Sequence, residues 1–200
     1  MSTIAAAITK EEINLLPVEA FDGPLIVVQD DDGFHDMMKV LNKESVIGFD
    51  TETKPVFSKG KRNQVALLQI ATKDTCYLIR LNKIGFPEKL VQLFTNEDIL
   101  KIGLSIKDDF LMLRGRNNGM EPKGFIELQT FVKDYGILDN SLQKIYAILF
   151  GKKLSKAQRL SNWEAVELTH SQKMYAALDA IACLRIYLEL KSHYPHTLDV

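Results

Sequence analysis

Four carboxylates set into three apolar segments constrain this chain more than any other feature. Asp50 and Glu52 close the run Val46-Ile47-Gly48-Phe49, Asp109 follows Ile102-Gly103-Leu104-Ser105-Ile106-Lys107-Asp108, and Asp179 ends Tyr175-Ala176-Ala177-Leu178. An acid at the edge of a core carries a desolvation cost and requires a partner. A divalent metal site supplies that partner to several acids at once.

Local periodicity says how each acid is presented. Alternation along the first segment puts Asp50 and Glu52 on one face of a strand; taken alone, the motif also reads as a strand ending in a solvated turn. In the second segment Ser105 reads as a helix N-cap, with Ile106, Phe110 and Leu113 as the apolar stripe. Asp109 then lies on the core-facing side, and Asp108 is placed as the capping-box acid or a solvated charge. In the third, Thr169 and Gln172 form a capping box, so Tyr175 and Asp179 fall at i and i+4 on one helix face. Two readings stay open there: a phenol beside a functional acid, or a core tyrosine beside an acid paired elsewhere.

The rest of the chain supplies the frame. Thr9 and Glu12 form a capping box for a short helix that stops before Pro17, and residues 1–23 read as an N-terminal appendage to a single domain over 24–200. A strand is expected at 25–28. Asp30, Asp31, Asp32 and Gly33 read as a turn and N-cap before a helix at 34–41, because nothing downstream completes an EF-hand spacing. Runs at 46–51, 64–72 and 75–81 predict an antiparallel meander. A helix at 87–94, a buried strand at 99–103 and a helix opening at Ser105 follow. From Glu127 onward the pattern is helical, over 127–135, 141–149 and 170–192. Strands first and a helix-rich C-terminal half imply an α/β fold, a mixed sheet flanked by helices.

Composition narrows the function classes. With 25 basic and 26 acidic residues the net charge is −1, which argues against a binder that relies on bulk positive charge. It leaves room for an enzyme that holds a strand through bound cations, because the ions are themselves the largest positive charges in such a site. Cys76 and Cys183 have no ligand or disulfide spacing, so a reduced, cytoplasmic setting is expected. No apolar run approaches the ~20 residues a membrane span needs. The opening residues lack the basic stretch of a secretory signal, so a soluble, unexported protein is expected.

In their order and spacing the three acidic segments resemble the exonuclease motifs of the DEDD superfamily of 3′-5′ exonucleases. The likeness is to the tyrosine branch, close to ribonuclease D and Werner-type exonuclease domains, because Met174 stands where the histidine branch carries its histidine. Flanking stretches agree, among them Gln64 to Ile70 and Leu160-Ser161-Asn162-Trp163. The resemblance implies a ribonuclease H-like fold with a mixed five- to six-stranded sheet. It also implies two divalent cations, Mg²⁺ or Mn²⁺, ~3.5–4 Å apart, which together generate the nucleophile and stabilise the in-line transition state. By the same resemblance Asp50 bridges both cations, Glu52 and Asp179 complete the nucleophile-side one, and Asp109 supports the other largely through water. Tyr175 is implied to orient the attacking water, and the Thr51 backbone to approach the terminal nucleotide.

The implied activity is release of nucleoside 5′-monophosphates from a single-stranded or frayed 3′ end, with DNA as the first expectation. Ribonuclease D-like trimming of RNA is the alternative. A non-catalytic nucleic-acid-binding module is a further rival, disfavoured by five intact motif residues. Lys59, Lys61 and Arg62 read either as phosphate contacts or as a solvated hairpin loop. Lys152, Lys153, Lys156 and Arg159 form a second basic segment. Trp163 reads as a platform for a base or as a core residue. Nucleic acid is the expected partner, no membrane is, and a helicase or polymerase acting in trans is left open.

Overall fold

Apolar alternation builds one sheet at the centre of the molecule. A computed structural model describes residues 4–56 and 63–193. Its strands are β1 (Leu25–Val28), β2 (Val46–Thr53), β3 (Val65–Ala71), β4 (Cys76–Ile79), β5 (Leu100–Gly103) and β6 (Phe125–Glu127). They lie in the order β1-β4-β3-β2-β5-β6. Only β3 runs against its neighbours; the β1/β4, β2/β5 and β5/β6 pairs are parallel. The expected meander is therefore β2-β3-β4, and the sheet is mixed and six-stranded.

Helices cover both faces. On one side α2 (Asp31–Leu41), α4 (Glu88–Thr95) and α5 (Ile106–Leu113) enclose a core around Ile47, Phe49, Leu68 and Ile70. The Phe49 ring is met edge-on by Phe94 at 5.5 Å and Phe125 at 5.4 Å, a favoured aromatic geometry. On the other side α8 (His170–His193) packs across β2, β3, β4 and β5. It is joined there by α6 (Leu128–Phe131), a 3₁₀ turn (Val132–Tyr135) and α7 (Leu142–Phe150). No helix among the described residues is long and apolar enough to cross a membrane.

Several elements differ from the sequence expectation for local physical reasons. Helix α2 starts at Asp31, three residues early, because the Asp30 carboxylate caps it by accepting from the Gly33 N–H. A one-turn helix, α3 (Leu81–Ile84), follows β4. β6 lies where a helix was expected to begin at Glu127, its three residues pairing with β5.

The segment expected as an appendage is fastened to the helical half. After α1 (Lys10–Leu15), Val18 bridges Lys153, while buried Glu19 accepts from the Tyr146 hydroxyl at 2.8 Å and from Lys152 at 3.1 Å. Leu138 N–H donates to the Ala6 carbonyl at 2.8 Å and Ile8 N–H to Asp139 at 3.0 Å. Ile4 and Phe21 pack against the same core cluster.

Candidate active site

The carboxylates meet where α8 crosses β2. Period-two alternation sends Asp50 and Glu52 to the face under α8, and the helix approaches there because position 48 is glycine. A Cβ at Gly48 would lie 2.1 Å from the Ala180 carbonyl oxygen. The neighbouring Asp179 is thereby brought down to the strand. Asp50, Glu52 and Asp179 each offer a carboxylate oxygen, all within 4.8 Å of one another.

Asp109 joins from α5 but stands outside that tight group. The Thr51 hydroxyl donates to its Oδ1 at 2.5 Å, which ties α5 to β2. Thr51 also lines the cavity in front of the acids. The start of α5 corrects the expected capping box. Ser105 is the only non-glycine residue with positive φ among the described residues, at 62°, and its side chain makes no capping bond. A side-chain cap uses an extended backbone, which this left-handed turn does not offer. Glu127 takes over from the end of β6, accepting from Ser105 N–H at 3.0 Å, Ile106 N–H at 2.8 Å and Gln129 N–H at 3.1 Å. Asp108 is exposed to solvent.

Burial and mutual repulsion load the site with protons. Desolvation first, then the Asp179 charge, raises the Asp50 pKa well above the carboxylate range. Burial with three neighbouring acids pushes Glu52 up to about 10, partly countered by Arg159. Burial and Asp50 raise Asp109 to about 8, and burial raises Asp179 to about 7 against a hydrogen bond from Tyr175. The Tyr175 phenol is itself raised by burial and then by Asp179, Glu52 and Asp50, so it keeps its proton. Cys183, buried on the cavity wall, is shifted upward by burial and the surrounding acids and is no thiolate.

The carboxylates open into a cavity of about 430 Å³. Ser105, Gln129, Asn140 and Ser141 form an uncharged polar wall, and Lys156 and Arg159 supply cations. The second basic segment thus divides: Lys152 pairs with Glu19, Lys153 donates to the Asn14 carbonyl, and Lys156 and Arg159 face the acids. Lys59, Lys61 and Arg62 lie outside the described residues.

Trp163 is a correction. Its side chain is 0% exposed and packs against Tyr175 at 6.0 Å between ring centroids, so no face is available to stack on a base. Sequence reasoning missed Glu127 altogether. The α5 N–H groups it caps lie 21 and 22 residues upstream, so no local spacing marks it as the cap of that helix.

Comparison with known proteins agrees with this geometry. A family model described as 3′-5′ exonuclease matches residues 25–194. The mouse bifunctional 3′-5′ exonuclease/ATP-dependent helicase WRN is 35% identical over 161 residues, covering 78% of this chain and 11% of that protein. The Aedes aegypti exonuclease mut-7 homolog is 28% identical over 194 residues, covering 85% of this chain and 27% of that protein. The chain therefore spans a small part of these relatives' length. The crystal structure of the Aedes aegypti Nibbler EXO domain superposes with a TM-score of 0.80 at 25% identity, covering 91% of this chain and 97% of that one.

Proposed function

This chain belongs to the 3′-5′ exonuclease family, and on that premise we propose that it shortens nucleic-acid strands from the 3′ end, releasing nucleoside 5′-monophosphates. The observation that carries the reading is the meeting of Asp50, Glu52 and Asp179 within 4.8 Å on the wall of a cavity that Lys156 and Arg159 also line. DNA is the first substrate class, in keeping with the likeness to an exonuclease/helicase. A reducing, cytoplasmic setting accords with two free, buried cysteines.

The donor set fits hard divalent cations. Every ligand is a carboxylate oxygen, the kind Mg²⁺ and Mn²⁺ prefer, and burial followed by mutual repulsion raises the acids' pKa values, a penalty that bound cations would offset. Asp50, Glu52 and Asp179 would hold one cation, with Asp50 and Asp109 serving a second. When bound, such cations lower the pKa of water and offset the charge that develops on a phosphoryl group.

The chain's own residues do the rest. Lys156 and Arg159 draw the phosphate backbone into the cavity. Tyr175 keeps its hydroxyl proton, which it donates to Asp179, and its hydroxyl oxygen accepts a hydrogen bond from the attacking water and so orients it, rather than acting as a base. The Thr51 hydroxyl restricts Asp109 to one rotamer, and the Thr51 backbone borders the terminal nucleotide.

The test uses 5′-labelled single-stranded DNA, recessed-end duplex and RNA, each with Mn²⁺, Mg²⁺ or chelator. One-nucleotide shortening from the 3′ end that needs a cation and vanishes in Asp50→Ala is expected. No shortening of any strand with either cation would overturn the reading. Faster shortening of RNA would reassign the substrate class.

A further inference from the structure

Gln69 is the only polar residue of β3. It is 0% exposed, and neither its Nε2 nor its Oε1 has a hydrogen-bond partner. The one other buried side-chain atom without a partner among the described residues is Trp163 Nε1. Trp163 lies in the apolar layer between the sheet and α8 that also holds Leu67 and Ala71, the residues two before and two after Gln69. Unpartnered buried polar atoms are therefore concentrated in one layer beside the acids. An apolar side chain of the same length would carry no desolvation cost there.

The register says what the amide is next to. Gln69 stands opposite Asp50 on β2 and Leu78 on β4. Leu67 and Ala71 share its face along β3 by alternation. Leu67, Ala71 and Leu78 all belong to the apolar cluster under Ala176, Ala177 and Ala180 of α8. Asp50 is thus the polar residue directly opposite Gln69 on this face of the sheet. Directly opposed residues have Cβ atoms roughly 4.5–5.5 Å apart, close enough for one water to span amide and carboxylate.

We propose that Gln69 is a positioning residue of the active site: one buried water bridges its amide to the Asp50 carboxylate and holds that carboxylate toward Glu52 and Asp179. A bridging water hydrogen-bonds nearly as well as a direct partner, and buried waters occupy sites where polar groups otherwise go unmatched. The small α8 side chains at 176, 177 and 180 line the layer in which the water sits. Groups that orient a metal-binding carboxylate restrict its geometry before any cation arrives. This inference rests on the metal-dependent reading of the same site.

The test compares the full chain with Gln69→Met, which keeps length and removes both polar atoms. With Mn²⁺ and a labelled single strand, kcat should fall about 10- to 100-fold, and the Mn²⁺ affinity measured by calorimetry should weaken over the same range. KM for the strand should stay unchanged, and thermal stability should be equal or higher. A glutamine that only fills space would leave kcat and Mn²⁺ affinity at wild-type values, and that result overturns the proposal. A crystal structure of the wild-type chain decides independently of whether the variant folds. A water within hydrogen-bond distance of both the Gln69 amide and the Asp50 carboxylate supports the proposal, and an amide bonded only to protein groups refutes it. An inactive wild type would count against the exonuclease reading, whereas an active wild type with an equally active variant would remove only the role of Gln69.

Discussion

Replacing Gly48 with alanine separates the two elements that carry the acids without touching any acid. The added Cβ would lie 2.1 Å from the Ala180 carbonyl oxygen, 3.0 Å from its carbon and 3.1 Å from Leu184 Cβ. Ordinary van der Waals contact begins at 3.4 Å, so the strand and helix must part by about an ångström. Backbone atoms of a helix locked by its own hydrogen bonds cannot yield as a side-chain tip can. Overpacking of this kind costs about 1–3 kcal/mol of stability, and an ångström of misplacement at a reacting centre costs about 10²-fold in rate. Both effects should appear together, because the residue after Asp179 is the one displaced. Urea denaturation should show the lower midpoint, and single-turnover shortening of a labelled strand the lower rate. A Gly48→Ala protein with wild-type midpoint and rate would refute the idea that this close crossing sets the distance between Asp50 and Asp179.

Tyr175→Phe keeps the ring packed against Trp163 and removes the hydroxyl, so turnover should fall by about 10²–10⁴ with metal affinity little changed; an unaltered single-turnover rate would make the phenol structural. For pH, Asp179 at about 7, Asp109 at about 8 and Glu52 at about 10 sit above their unfolded values near 4. The folded, metal-free chain then holds protons that the unfolded chain has released, so its stability is greatest below about pH 4 on this account and declines as pH rises through the folded values. Cations favour the ionised form, so the gap in Tm between Mn²⁺-bound and metal-free protein should widen from pH 5.5 to 8.5; a gap independent of pH would contradict the coupling. Alanine at both Lys156 and Arg159 should raise KM more than it lowers kcat, and should shrink the slope of log affinity against log salt by roughly 0.7 per lost contact; an unchanged slope would move the strand away from this side of the cavity.

What was legible in the sequence is what short-range geometry determines. Alternation places Asp50 and Glu52 on one strand face, and the Thr169–Gln172 capping box starts the helix that carries Tyr175 and Asp179 on one side. Backbone periodicity and hydrogen-bonding reach act over a few residues, so these features survive without knowledge of the fold. The strand runs and the meander could be read for the same reason.

What required the tertiary structure depends on contacts between residues far apart in the chain. The two readings of Trp163 were separated only by its burial against Tyr175. Nothing local to Ser105 announces that Glu127 caps its helix, and the four basic residues from Lys152 to Arg159 look alike until the N-terminal segment engages the first two. The same holds for Gln69, whose opposition to Asp50 is a matter of strand register. Above all, the sequence shows that acids are present and on which elements, but their distance is set by how closely α8 can cross β2, and that is decided by the missing side chain at Gly48 meeting the backbone of Ala180.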